Sequence, residues 1–169
     1  MSITYEPIAT NTISTSTASF NFNSISGNYT DLILVASNVT SISAGSWMGL
    51  RFNSDTGNNY SMTEMYSTGA AVASYRYSNN TLLPINFYCG VGVNQTGFVS
   101  ITHIMNYSNS TTNKTTITRE NNATDPNYPG SGAIVGLWRS TAAITSITVV
   151  ASVSNFNSGT FTLYGIKAA

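Results

Sequence analysis

Apolar residues in this chain recur at every second position, and no stretch of ten or more residues shows a helical period with caps. Met48, Leu50 and Phe52 share one parity in WMGLRF; Ile147, Val149, Ala151 and Val153 do so in SITVVASV, and Phe161 and Leu163 in TFTLYG. Val99, Ile101, His103 and Met105 form another such set in FVSITHIM. A period of two puts each set on one face of a β-strand, so these sets are expected to face a core or an interface. DLILVA (31–36) and AIVGLW (133–138) are apolar on both parities, which predicts central strands covered on both sides.

Clusters of turn residues separate these runs: Ser26-Gly27-Asn28, Ser43-Ala44-Gly45-Ser46, Asp55-Thr56-Gly57-Asn58-Asn59, Ser67-Thr68-Gly69, DPNYPGSG and Asn157-Ser158-Gly159. Gly and Asn tolerate positive φ, and Pro sets φ for a turn. In NYSNSTTNKTTITREN (106–121) the pattern predicts a strand end, a polar turn near 108–113, and a new strand through Ile117 with threonines on a solvated face. The expected fold is all-β: about nine or ten strands in a single antiparallel, jelly-roll-like β-sandwich spanning 1–169.

Composition sharpens this. Asn 20, Ser 24 and Thr 24 supply the polar surface, while charged residues are only 7% and balance at six basic and six acidic. Four Arg and two Lys make no basic footprint, so neither nucleic acid nor an anionic membrane is an expected partner. The longest apolar run, Leu32–Ala36, is far shorter than the roughly 20 residues of a membrane span. The N-terminus MSITYEPIATNTIS lacks a basic region followed by an apolar stretch, so no cleaved export signal is expected. The nine N-x-[ST] triplets, at Asn28, Asn38, Asn59, Asn79, Asn94, Asn106, Asn109, Asn113 and Asn122, then follow from composition and are not expected to carry glycans.

Catalytic and metal chemistry find little support. Asp55-Thr56-Gly57 has the triplet of aspartic proteases, but that chemistry needs two carboxylates sharing a proton, and no second copy exists. A polar turn is the better reading, so Asp55→Asn is expected to change stability by no more than about 0.5 kcal/mol. Trp138→Ala, in a buried central strand, is expected to cost about 3–5 kcal/mol. His103 is the only histidine and reads as a hydrogen-bonded structural imidazole; Cys89 reads as a small buried hydrophobe. Spacing singles out no glycosidase pair from Glu6, Asp31, Asp55, Glu64, Glu120 and Asp125. A calcium loop at Asn53, Asp55 and Asn58 lacks enough ligands, and no Cys/His set has zinc spacing. No cofactor, metal or catalytic residue is expected.

Five stretches spread from end to end, YEPIAT (5–10), YTDLILV (29–35), LRFNSDTGNNYS (50–61), GLWRSTAAITSITV (136–149) and FTLYGIKA (161–168), resemble a family of virion structural proteins of tailed bacteriophages, those of cyanophages and other aquatic phages especially. The resemblance implies a β-sandwich displayed on a phage particle and made in the bacterial host cytoplasm. It brings no catalytic residues. The expectation that follows is a capsid decoration or cement protein, a homotrimer bound to the major capsid protein on the head surface. The alternative is a tail-fibre tip or receptor-binding module for host glycan, with Tyr75, Tyr77 and Tyr128 as partner- or glycan-facing aromatics. A third class, a glycan-cleaving enzyme, would have to draw on the six acids above.

Overall fold

The computed structural model describes residues 4–43, 45–67, 71–87, 97–122 and 130–167. Twelve strands run through them: β1 (Tyr5–Ile13), β2 (Ser19–Phe22), β3 (Asp31–Ser41), β4 (Met48–Phe52), β5 (Tyr60–Ser67), β6 (Val72–Asn80), β7 (Leu83–Pro84), β8 (Val99–Met105), β9 (Lys114–Asn122), β10 (Gly130–Trp138), β11 (Ile147–Ala151) and β12 (Phe156–Ile166). No helix occurs among the described residues. The strands form a large sheet of eight, ordered β1-β12-β3-β8-β9-β10-β5-β6, and a small sheet of four, ordered β2-β11-β4-β7. All named pairings are antiparallel.

The pairing is nested. β1 pairs with β12 and β2 with β11, so the chain wraps from its ends inward, as in a jelly roll. The all-β sandwich is therefore as the alternation predicts, with twelve strands in place of nine or ten. The surplus lies in very short elements: β2 has four residues and β7 two, too few to show a period.

The core lies between the sheets. Met48, Leu50 and Phe52 of β4 and Ile147 and Val149 of β11 point into it from the small sheet. Leu32, Leu34 and Ala36 of β3, Phe161 and Leu163 of β12, and Ile134 and Trp138 of β10 meet them from the large one. Phe52 lies 5.5 Å from Trp138 and 6.2 Å from Tyr60, while Phe20 lies 4.8 Å from Phe161, within the range of favourable ring packing. Val153 lies beyond the end of β11 and is 70% exposed, so the fourth member of its apolar set leaves the core.

In two strands the apolar parity faces outward, which excludes the core alternative for the β8 set and leaves the interface one. In β8 the buried parity is Ser100, Thr102 and Ile104, while Val99, Ile101, His103 and Met105 are half-exposed on the outer side. In β9 the buried parity is Lys114, Thr116, Thr118, Glu120 and Asn122, and Ile117 points outward at 45% exposure. The threonines expected on a solvated face are thus split, with Thr116 and Thr118 inside. At about 4.8 Å per strand, four strands cannot roof eight, so the apolar side chains of the small sheet cover only part of the large one.

Part of the polar interior is hydrogen-bonded, as burial favours, while Thr116 Oγ1 and Asn86 Nδ2 are buried without a partner among the described residues. Thr102 and Thr118 share a 2.9 Å hydroxyl bond, and the Lys114 ammonium donates to the carbonyls of Thr112 and Thr141. Burial pushes the Lys114 amine below the ordinary lysine range. Thr and Lys side chains here do inside what they ordinarily do at a surface.

Candidate functional site

The outward apolar parities of β8 and β9 converge on one feature, the outer face of the large sheet. Cross-strand register sets its residues in rows. One row runs Val35, Ile101, Arg119, Ala133, Met65 through β3, β8, β9, β10 and β5. The next runs Ile33, His103, Ile117, Val135, Thr63. A third begins at Met105 and continues through Thr115, Leu137 and Ser61. Met65 is 61% exposed and Val135 57%, so apolar side chains stand in solvent near the middle of the sheet.

The β1–β12 flank of this face is hydroxyl-rich. Thr10 faces Thr162 at 3.1 Å, and Thr12 faces Thr160 at 3.4 Å, across β1 and β12. Ion pairs are few. His103 Nε2 lies 3.0 Å from Asp31 Oδ2, and Glu6 pairs with Lys167 at the far edge. Asp31 also accepts the Asn106 amide, so it ties the β8–β9 turn to the start of β3. His103 therefore has the bonded structural role expected, on the outer face and not in the core.

DLILVA and AIVGLW correct the expectation of strands covered on both sides. Leu32, Leu34 and Ala36 are buried in the core, whereas Ile33 and Val35 are half-open on the outer face. Likewise Ile134 and Trp138 are buried, and Val135 is exposed. Each strand is covered on one side only in the single chain.

The acids disperse. Asp55 sits in the expected turn, with its amide donating to the Phe52 carbonyl, but its carboxylate does more. Oδ2 accepts the Trp138 indole N–H at 2.6 Å and the Asn59 amide at 2.9 Å, and Oδ1 accepts the Gly57 N–H at 2.8 Å. Partial burial pushes its carboxyl up, and the bonds from Trp138, Asn59 and Gly57 outweigh this, leaving it below the usual range. The expected neutrality of Asp55→Asn is therefore corrected: the residue anchors the buried tryptophan. Neighbouring Asn53 takes the N–H groups of Thr145 and Ser146 on Oδ1 and gives its amide to the Ala143 carbonyl. The Asn53 and Asp55 acceptors considered for calcium are directed at protein donors.

Glu64 and Glu120 face inward on β5 and β9, in register with Ile134 and Gly132 of the strand between them. A Cβ at Gly132 would stand 2.6 Å from Glu120 Oε1, so the glycine leaves the space that the carboxylate fills. Among the described residues no three His, Cys, Asp or Glu gather as a metal would need. Asp125, Cys89 and Tyr128 lie outside the described residues.

Tyr75 and Tyr77 of edge strand β6 turn inward and pack against the margin of the core. The Tyr75 ring stacks on Phe87 at 5.5 Å and 5°, Tyr77 lies 5.6 Å from Phe87, and Trp47 lies 5.3 Å from it on another side. All four rings are half-buried, which gathers aromatic surface at one edge of the sandwich. Neither Trp47 nor Phe87 stands out in the sequence; only the approach of the β3–β4 and post-β7 loops brings them to the tyrosines.

No family model and no curated protein matches the chain. Solved structures similar to it include a glycosyl hydrolase family 16 protein from Mycobacterium smegmatis str. MC2 155, at 8% identity and a TM-score of 0.26, over 87% of this chain and 65% of that one. Another is a candidate pore-forming toxin from Bacteroides vulgatus ATCC 8482, at 11% identity and a TM-score of 0.08, over 89% of this chain and 54% of that one. This chain spans less than two thirds of either neighbour. Likeness this weak carries no argument.

Proposed function

We propose that this chain is a non-enzymatic structural protein of a phage virion, a decoration protein that stabilises the head by contact with itself and with the major capsid protein. The observation that carries the reading is the outer face of the large sheet, where apolar rows stand open beside a hydroxyl-rich flank at β1 and β12. An apolar centre inside a polar rim is the anatomy of a protein contact. With 7% charged residues, attachment relies on shape, apolar patches and amide or hydroxyl bonds. Joining several copies makes later contacts intramolecular, so modest affinities add up to durable attachment.

The five sequence stretches that carry the resemblance to phage virion proteins also hold the fold together in two groups. LRFNSDTGNNYS and GLWRSTAAITSITV meet through Asp55–Trp138, Asn53–Thr145 and Arg139–Ser61. YEPIAT and YTDLILV flank FTLYGIKA as the strands on either side of it. The resemblance thus rests on a linked framework.

A second reading, a receptor-binding module of the tail, draws on the four rings at the β6 edge, since aromatic faces stack on sugar rings. Copy number in purified particles, counted by quantitative mass spectrometry, separates the two. Hundreds of copies per particle are expected for head decoration; a dozen or so would overturn it in favour of the tail.

A further inference from the structure

We infer that the outer face of the large sheet is the contact between two copies of this chain, stacked sheet on sheet as an isologous pair. Three observations lead there. The first is the conflict between pattern and single-chain structure. DLILVA and AIVGLW are written for strands buried on both faces, yet the chain itself buries only one. In soluble antiparallel sheets the open face is ordinarily polar, and here Ile33, Val35, Ile101, Ile117, Val135 and Met65 occupy it.

The second is position. In the order β1-β12-β3-β8-β9-β10-β5-β6 the midline falls between β8 and β9, and the apolar rows span β3 to β5 across it, with threonine hydroxyls on the β1–β12 side and Val72, Ser74 and Arg76 of β6 on the other. A contact that covers its own copy needs a patch of this kind, apolar in the middle and polar at the edges.

The third is area. Eight strands of 7 to 11 residues, about 4.8 Å apart and rising about 3.3 Å per residue, cover roughly 35 by 30 Å, or about 1,000 Å². A specific interface takes about 800 Å² from each partner. The face is the right size for one whole partner of the same width, and sheets stack face to face at about 10 Å with side chains interleaved. The pair would point its two small sheets in opposite directions. The pairing rests on the same face as the self-contact proposed above, and its failure in solution would leave the copy-number test of the virion role standing.

Light scattering on the size-exclusion-purified chain tests the pairing, with Val135→Glu and Met65→Glu as variants. Both residues are more than half exposed, so neither change enters the core, and circular dichroism checks that each keeps the β-spectrum. The expected wild-type mass is twice 18.0 kDa. Each variant should shift to the single-chain mass, with the dissociation constant raised about a hundredfold or more, because each copy brings a charge into an apolar contact. Thr148→Glu, on the small sheet, should leave the pair intact. A wild-type single chain or trimer at tens of micromolar protein overturns the inference, as does a pair that survives both variants.

Discussion

At the scale of single residues, asparagine and aspartate explain the abundance of amide side chains better than any modification does. Asn38, Asn79 and Asn106 each adopt a positive φ, near 52°, 58° and 51°, a conformation Asn tolerates better than most residues. Asn109 Oδ1 takes the N–H groups of Thr111 and Thr112, closing the turn between β8 and β9. Asn59 bonds Asp55, and Asn122 is buried. Six of the nine triplet asparagines therefore do conformational or packing work. Asp55 is the residue whose importance the sequence hid, because its partner lies 83 positions away. Asp55→Asn should cost about 1–3 kcal/mol in denaturant unfolding, since one of the donors would then face an amide N–H. Trp138→Ala should cost about 3–5 kcal/mol, as expected of a ring that is 2% exposed. The pH dependence has a definite sign. The Asp55 carboxyl is held below its ordinary value, so its contribution is complete above about pH 4 and fades as pH falls through the lower folded value. Thermal melts between pH 6 and 2 should show a loss in the wild type that is reduced in Asp55→Asn.

At the scale of elements, the strands legible in the sequence are those whose alternation matches burial. β4, β11 and β12 bury the parity that their Met, Leu, Phe, Ile and Val residues mark. β8 and β9 were not legible in orientation, because their apolar parity faces outward and their Thr, Lys and Glu parity inward. A polar residue in an alternating strand reads as solvated unless its partners are known, and those partners lie on other strands. Gly136 shows the same dependence on context. It is buried under β7, and a Cβ there would stand 2.7 Å from Leu83 Cδ1 and closer still to Thr116 Oγ1. Gly136→Ala should therefore destabilise by about 1–3 kcal/mol through overpacking, even though alanine is otherwise the milder strand residue. A chemical denaturation curve that leaves the midpoint unchanged would show that β7 can move away from β10.

At the scale of the whole molecule, the two unusual features lie on the same strands, a polar interior and an open apolar exterior of β8 and β9. The wide sheet exceeds what its partner sheet can cover, and its outer face offers one broad surface for another protein. The candidate contact face was half legible. The doubly apolar segments announced burial on two sides, but only the register showed that their second sides, with Ile101 and Ile117, make a single patch. The sparse charge decides how such a surface should hold to a particle. Ion pairs between exposed groups weaken once the screening length falls to about 3 Å near 1 M salt, whereas apolar and shape-matched contacts do not. The direct measurement is to wash purified particles at low and at high ionic strength and to quantify the chain retained on the heads. Retention at both is the predicted result; release by salt alone, or recovery of the chain only with detached tails, would contradict head decoration.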